Sequence, residues 1–256
     1  RGPRGTGGRG APTASGGQMI VAAHQPHYLP WLGYLDKLAG ADVFVVMDDL
    51  QYEAQNFINR QRVKLNAGPH WLVVPLVRGA QTDRICDKRI DNAGRGGRHH
   101  WQHRHRRTLE VHYGKTPHWD LVAPALEDVY VRRWDFLLDL DLHILDLARR
   151  WFGITRPIVR ASSLELRGTK TERIMSLCHA VGAHTYLTGK GGSAGYLDTG
   201  ALAHAGIQTV WQSFAHPIYP QRYPEAGFCS HLGFFDHLCN VGLPSTKELV
   251  HESSAR

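Results

Sequence analysis

The chain has four cysteines, Cys86, Cys178, Cys229 and Cys239, and no two of them form a C-x-x-C pair. A disulfide framework or a thiolate metal site needs paired or tighter spacing. The thiols therefore read as reduced, and the chain as cytoplasmic. No apolar run approaches the roughly 20 residues that span a bilayer, and nothing like a secretory signal opens the sequence. There is no internal repeat. The P-loop and the dinucleotide glycine fingerprint, whose spacings are fixed, are both missing.

What is present is a globular composition. Hydrophobic residues make up 42% and aromatics 9% of 256 residues, which excludes a wholly disordered chain. The length suits one large domain or two small ones. Thirty Lys and Arg against 23 Asp and Glu give a net charge of +7, with 17 His besides. A basic balance is compatible with nucleic acid, but equally with a phosphorylated or carboxylated small substrate. Residues 1–18 are mostly Gly, Arg, Pro and Ser, a composition that cannot bury a core and is expected to be disordered. Met19 then opens a clean strand and reads as the natural start. Without Arg1, Arg4 and Arg9 the charge falls from +7 to +4, so a nucleic-acid partner is not expected.

Residues 19–23 read as a strand and 30–39 (PWLGYLDKLA) as a helix, while 41–47 (ADVFVVM) reads as a buried strand. Residues 71–76 (WLVVPL) read as another strand and 85–90 as a shorter one. Residues 125–152 read as a strongly helical stretch, and 157–161 as a strand. Thr169 and Glu172 have the capping-box spacing, for a helix that runs to about Val181 and stops at Gly182. Strands are expected again at 185–188 and 207–211. This order predicts an α/β fold with a Rossmann-like parallel or mixed sheet. The folded region spans 19–243, carries a helical insertion at about 98–152 that could form a lid, and ends in a flexible tail over 244–256.

Several clusters could carry chemistry. His24-Gln25-Pro26-His27-Tyr28-Leu29-Pro30-Trp31 follows the first strand, where open α/β sheets bind ligands. His24 there can act as acid or base near neutrality. The His-x-x-His spacing also fits a metal pair, but Pro26 lies between and no third ligand is evident; neither metal nor cofactor is expected. Asp48 and Asp49, with Gln51 and Tyr52, close the second strand and can hold a cation, ribose or amine, or cap the next turn. Asn59, Arg60 and Lys64 can hold a carboxylate or phosphate, or face solvent. Eight Lys or Arg and four His lie between Arg84 and Arg107, around Trp101, without a nucleic-acid-binding motif; they read as a solvated helix face. Gly189-Lys190-Gly191-Gly192-Ser193-Ala194-Gly195-Tyr196 can approach an anion through its backbone, or form a turn. Lys170 is a further anion-binding candidate. Ser230, His231 and Asp236 bring a hydrolase triad to mind, but no G-x-S-x-G elbow surrounds Ser230, and order in sequence is poor evidence of geometry.

The segment His24–Tyr34 (HQPHYLPWLGY), Asp48-Asp49-x-Gln51-Tyr52, and Asn59-Arg60 with Lys64 before Trp71-Leu72-x-Val74-Pro75 closely resemble the WbqC-like family. So do Lys170-Thr171, Tyr186-x-x-Gly189 with Tyr196-Leu197, and the run from Tyr219-Pro220-Gln221 to Asn240-x-Gly242. The resemblance covers Met19 to Gly242. It implies a place in polysaccharide, O-antigen or specialised-metabolite biosynthesis, with glycyl or aminoacyl transfer as the implied activity. Cys229-Ser230-His231-Leu232 and the Arg95–Arg107 cluster depart from the family pattern.

Together these readings predict an enzyme that moves an aminoacyl or acyl group to an amine or hydroxyl of a sugar or metabolite. His24 and Asp49 are the expected catalytic pair. Substrate binding is expected from Gln25, Tyr28, Asp48, Gln51, Asn59, Arg60, Lys64, Lys170, Gly189, Gly191, Tyr196, Tyr219 and Gln221. The substrate would be a small molecule or carrier-bound group, nucleotide sugars among the candidates. The alternatives are nucleotidylyl transfer, favoured by the strand–His loop–helix order, and a non-catalytic ligand- or nucleic-acid-binding protein.

Overall fold

A computed structural model describes residues 18–93 and 100–243. The expected disordered leader and flexible tail, and Arg95 and Arg98 of the basic cluster, fall outside the described residues. Five strands build one parallel sheet: β1 (Ile20–His24), β2 (Val43–Val46), β5 (Ile158–Arg160), β6 (Thr185–Thr188) and β7 (Gln208–Trp211), in the order β5-β2-β1-β6-β7. β1 is central and buried, pairing Val21–His24 with Val43–Val46 on one side and Ile20–Ala22 with Thr185–Leu187 on the other. Period-two alternation divides its side chains between two cores. Ala22 joins the larger core together with Phe44, Val46 and Leu187, whereas Val21 and Ala23 join the smaller one with Val45 and Tyr186.

The larger core packs α1 (Leu32–Ala39), α2 (Trp101–Tyr113), α3 (Trp119–Val131), α4 (Leu137–Trp151) and α7 (Phe234–Val241) on one face. The smaller packs α5 (Lys170–Val181) and α6 (Thr199–His204) on the other. The fold is thus α/β in three layers with a Rossmann-like strand order. α1 is buried at every position, its charged Asp36 and Lys37 included. None of the helices described is long and apolar enough to cross a membrane.

The structure corrects four expectations. Residues 71–76 do not join the main sheet. β3 (Arg60–Leu65) and β4 (Gly68–Val73) form a separate antiparallel hairpin, turned where Gly68 takes a φ of +106°, open to glycine and strained for other residues. The stretch 85–90 is a 3-10 turn over Ile85–Asp87, with two isolated bridges, Leu76 to Ile90 and Arg89 to Phe136. The helical stretch 125–152 breaks at Arg132–Phe136. There the Trp134 indole donates to the Val129 carbonyl at 2.8 Å, and the Ile90 amide takes the Asp135 carbonyl at 3.0 Å, so tertiary partners replace helix hydrogen bonds. Thr169 is the N-cap of α5, yet its side chain makes no capping bond, because the chain enters through left-handed residues at Gly168 (φ +73°) and Lys170 (φ +48°). The helix ends as expected at a left-handed Gly182.

Candidate functional site

The strand order reverses between β1 and β6, and open α/β sheets bind ligands beyond the carboxyl ends of strands at such a point. A cleft of ≈ 890 Å³ lies there. The end of β1 contributes His24 and Gln25 to its lining, and α1 contributes Tyr34 and Lys37. Lys170 and Arg173 come from the start of α5, and Gly189, Lys190, Gly191 and Tyr196 from the loop after β6. Aromatic lining comes from Trp31, Phe57, Phe214 and His231.

His24 Nδ1 lies 3.1 Å from the Gln25 carbonyl. A carbonyl only accepts, so Nδ1 carries the proton and Nε2 is the basic nitrogen. Burial, reinforced by the Lys37 charge, pulls the imidazole pKa down to about 3 against the opposing pull of that carbonyl. His24 is therefore neutral at pH 7, the form that accepts a proton. The His27 ring meets it edge-on at 4.7 Å, and Tyr34 packs 5.0 Å from both rings. His27 is held well below its ordinary value by burial, by His24 and by Lys37. Its Nδ1 is buried without a hydrogen-bond partner among the described residues. Burial lowers the Lys37 ammonium to about 8.

Lys170 and Lys190 are exposed at this cleft, while Arg173 donates to Asp49. Positive φ on a non-glycine residue is uncommon, and such strain clusters at ligand-binding sites. Lys170 is one such residue. The loop over 191–195 reads Gly-Gly-Ser-Ala-Gly and so contains a Gly-x-Ser-x-Gly string. Its backbone forms a 3-10 turn at Gly192–Gly195 rather than the sharp strand-to-helix corner of a nucleophile elbow.

Other expected site residues lie away from the cleft lining. Asp48 is fully buried and accepts from Arg160 Nε (2.8 Å), the Ser162 amide (2.8 Å) and Ser162 Oγ (2.6 Å). It ties the end of β2 to the turn after β5. Asp49 stands behind Arg173, which takes its Oδ2, while its Oδ1 is buried without a hydrogen-bond partner among the described residues. Tyr28 bonds to His105 Nδ1 at 2.9 Å and to the Tyr130 hydroxyl at 2.7 Å, which joins the β1 loop to α2 and α3. Gln51 is exposed and bridges to Arg84. Asn59 accepts from the Tyr52 hydroxyl and donates to the Val74 carbonyl. The Arg60 guanidinium lies over the Trp71 ring, 4.2 Å from its centroid, and donates to the Gln55 carbonyl.

Lys64 donates to the Gly227 carbonyl at 2.7 Å. Tyr219 and Gln221 both donate to Asp236, which also accepts from Tyr113 at 2.7 Å. These groups brace the end of the fold. The same bonds dispose of a triad: Ser230 Oγ lies 2.8 Å from His231 Nδ1, but Asp236 is committed elsewhere.

Sequence reasoning missed Lys37, Tyr34, Arg173 and Gln212 as cleft residues. Arg173 carried a legible signal, since it lies three positions after Lys170 on one helix and so shares its face. Lys37 carried none, because an Asp-Lys pair in a helix ordinarily marks the solvent side. No group of three or more His, Cys, Asp or Glu suited to a metal occurs among the described residues.

Residues 25–248 match the WbqC-like protein family. An uncharacterized protein of Mycobacterium tuberculosis, Rv1507c, is 30% identical over 225 residues, covering 87% of this chain and 94% of that protein. No solved structure matches.

Proposed function

The chain belongs to the WbqC-like protein family, and on that premise we propose that it is a group transferase moving an aminoacyl or acyl group onto an amine or hydroxyl of a sugar or metabolite. The observation that carries this reading is a neutral His24, with Nδ1 tied to a carbonyl and Nε2 basic, in a cleft whose exposed lining carries Lys170 and Lys190 alongside Glu53. Lys170, Lys190 and Arg173 hold the anionic part of a carrier-bound donor or nucleotide sugar. His24 Nε2 takes the proton of the attacking hydroxyl or amine and passes it to the leaving group. The Gln25 carbonyl steadies the imidazolium in between. An anion seated in the cleft offsets the Lys37 field and raises the basicity of His24 as the substrate arrives. Positioning and base catalysis together supply many powers of ten. Polysaccharide, O-antigen or specialised-metabolite assembly in the cytoplasm is the proposed setting.

The test begins with thermal shifts of the full chain against nucleotide sugars, nucleoside triphosphates, and aminoacyl and acyl donors, since ligands of the native state raise its apparent stability. Product formation is then followed by mass spectrometry. His24→Ala is expected to cut turnover about a hundredfold or more with the fold intact; equal turnover overturns the reading. Nucleotidylyl transfer is the second reading, favoured by the placement of a His loop directly after β1 and before α1. Mg²⁺-dependent pyrophosphate release from a triphosphate would select it.

A further inference from the structure

Lys37 is 4% exposed and yet belongs to the cleft lining. Its Nζ donates one hydrogen bond, 2.8 Å to the Ala23 carbonyl. An ammonium has three protons to give, and no carboxylate among the described residues comes within ion-pair distance of this one. Its neighbour Asp36 is held instead by Gln212, which also bonds the Gly33 carbonyl at 2.8 Å. An unpaired buried charge is costly. Beside it, His27 is 6% exposed, lines the same cleft, and has a buried Nδ1 with no partner among the described residues. Two buried polar groups of the cleft thus have unused capacity, and both suit an anionic oxygen.

We propose that Lys37 and His27 form an inner anion subsite that takes the carboxylate or acyl oxygen of the transferred group, while Lys170 and Lys190 take an outer phosphate. This rests on the transferase reading and adds the donor's chemical class: an acyl or aminoacyl compound with a phosphate at one end and, at the other, an acyl oxygen that becomes anionic during transfer. During transfer the acceptor adds to the acyl carbon. The carbonyl π pair moves onto oxygen, where Lys37 Nζ and His27, in its Nδ1–H tautomer, meet the charge. It then returns as the bond to the leaving group breaks. Such preorganised donors act where charge develops.

The probe is trifluoroacetate, followed by ¹⁹F NMR with the full chain. Wild type is expected to show saturable binding. Lys37→Gln, which keeps a donor for the Ala23 carbonyl but not the charge, should weaken it about tenfold or more. Lys37→Arg should restore part of it, and Lys170→Ala/Lys190→Ala should change it little. Absence of saturable binding in wild type, undiminished binding in a folded Lys37→Gln, or loss in the Lys170/Lys190 variant would overturn the proposal.

A second measurement needs no variant. Carbamoylation of Lys37 by cyanate, mapped by peptide mass, should slow when trifluoroacetate is present, and an unchanged rate counts against the subsite. His24→Ala separates the two ideas. If that variant keeps full turnover while trifluoroacetate binding still depends on Lys37, the base role of His24 fails and the anion subsite stands.

Discussion

Asp48→Asn is the sharpest test of how the acidic pair is divided between scaffold and site. The substitution keeps shape and volume, so cavity formation drops out of the comparison. It removes the charge from a carboxylate with 0% exposure that receives a guanidinium, an amide and a hydroxyl. Hydrogen bonds to charged groups contribute about 1.5–3 kcal/mol each. They do not add fully here, because an amide oxygen can keep the Ser162 amide and the Ser162 hydroxyl can reverse. The Arg160 side chain is 46% exposed, so its ion pair is discounted for solvent screening. A net loss of about 2–4 kcal/mol follows. At about 2–4 °C per kcal/mol for a chain of this size, Tm should fall by roughly 4–16 °C. Circular-dichroism melts at pH 7 read it directly. A Tm within about 1 °C of wild type would refute the scaffold assignment.

Two further outcomes are expected. Acidification should destabilise the fold between about pH 6.5 and 3, because His24 and His105 are lowered to about 3, chiefly by burial, so below 6.5 the unfolded chain binds more protons than the folded one. Tm should therefore drop steadily through that window, and a His24→Gln/His105→Gln variant with an undiminished slope would contradict it. Gly33→Ala should push the Trp31 indole out of place, since a Cβ at Gly33 would stand 2.2 Å from its ring. The Trp31 indole N–H resonance should shift and cleft ligands bind more weakly, and an unmoved resonance would sink the idea.

The sheet was legible because its strands are short β-branched or apolar runs with sharp ends, such as Val43–Val46 before Asp48. β1, β2, β6 and β7 fell within a residue or two of expectation. The hairpin was not legible. Trp71, Leu72 and Val74 look like any buried strand, and nothing local says that their partner is Arg60–Leu65 rather than β1. His24, Gln25, Lys170, Gly189, Gly191 and Tyr196 were recognisable because the loops after β1 and β6 and the start of α5 converge where the strand order reverses. Tyr28, Asn59, Lys64, Tyr219 and Gln221 are the same residue types, but they meet partners far along the chain. Their bonds to His105, Val74, Gly227 and Asp236 have no local signature. Polar residues that line the cleft and polar residues bonded elsewhere in the fold look alike until those partners are known.

The Asp236 cluster also bears on synthesis. Tyr113 on α2 waits 123 residues for the carboxylate that receives its hydroxyl. At ribosomal rates of about 5–20 residues per second, that is roughly 6–25 s. Throughout that interval the Tyr113 hydroxyl has the Lys64 amide as a donor but no carboxylate to receive its own proton, and the Lys64 ammonium lacks the Gly227 carbonyl, so the lock on the layer formed by α2, α3 and α4 closes last, when α7 emerges. A chain cut short before Asp236 would retain every strand of the sheet and still lack the lock on its helical layer.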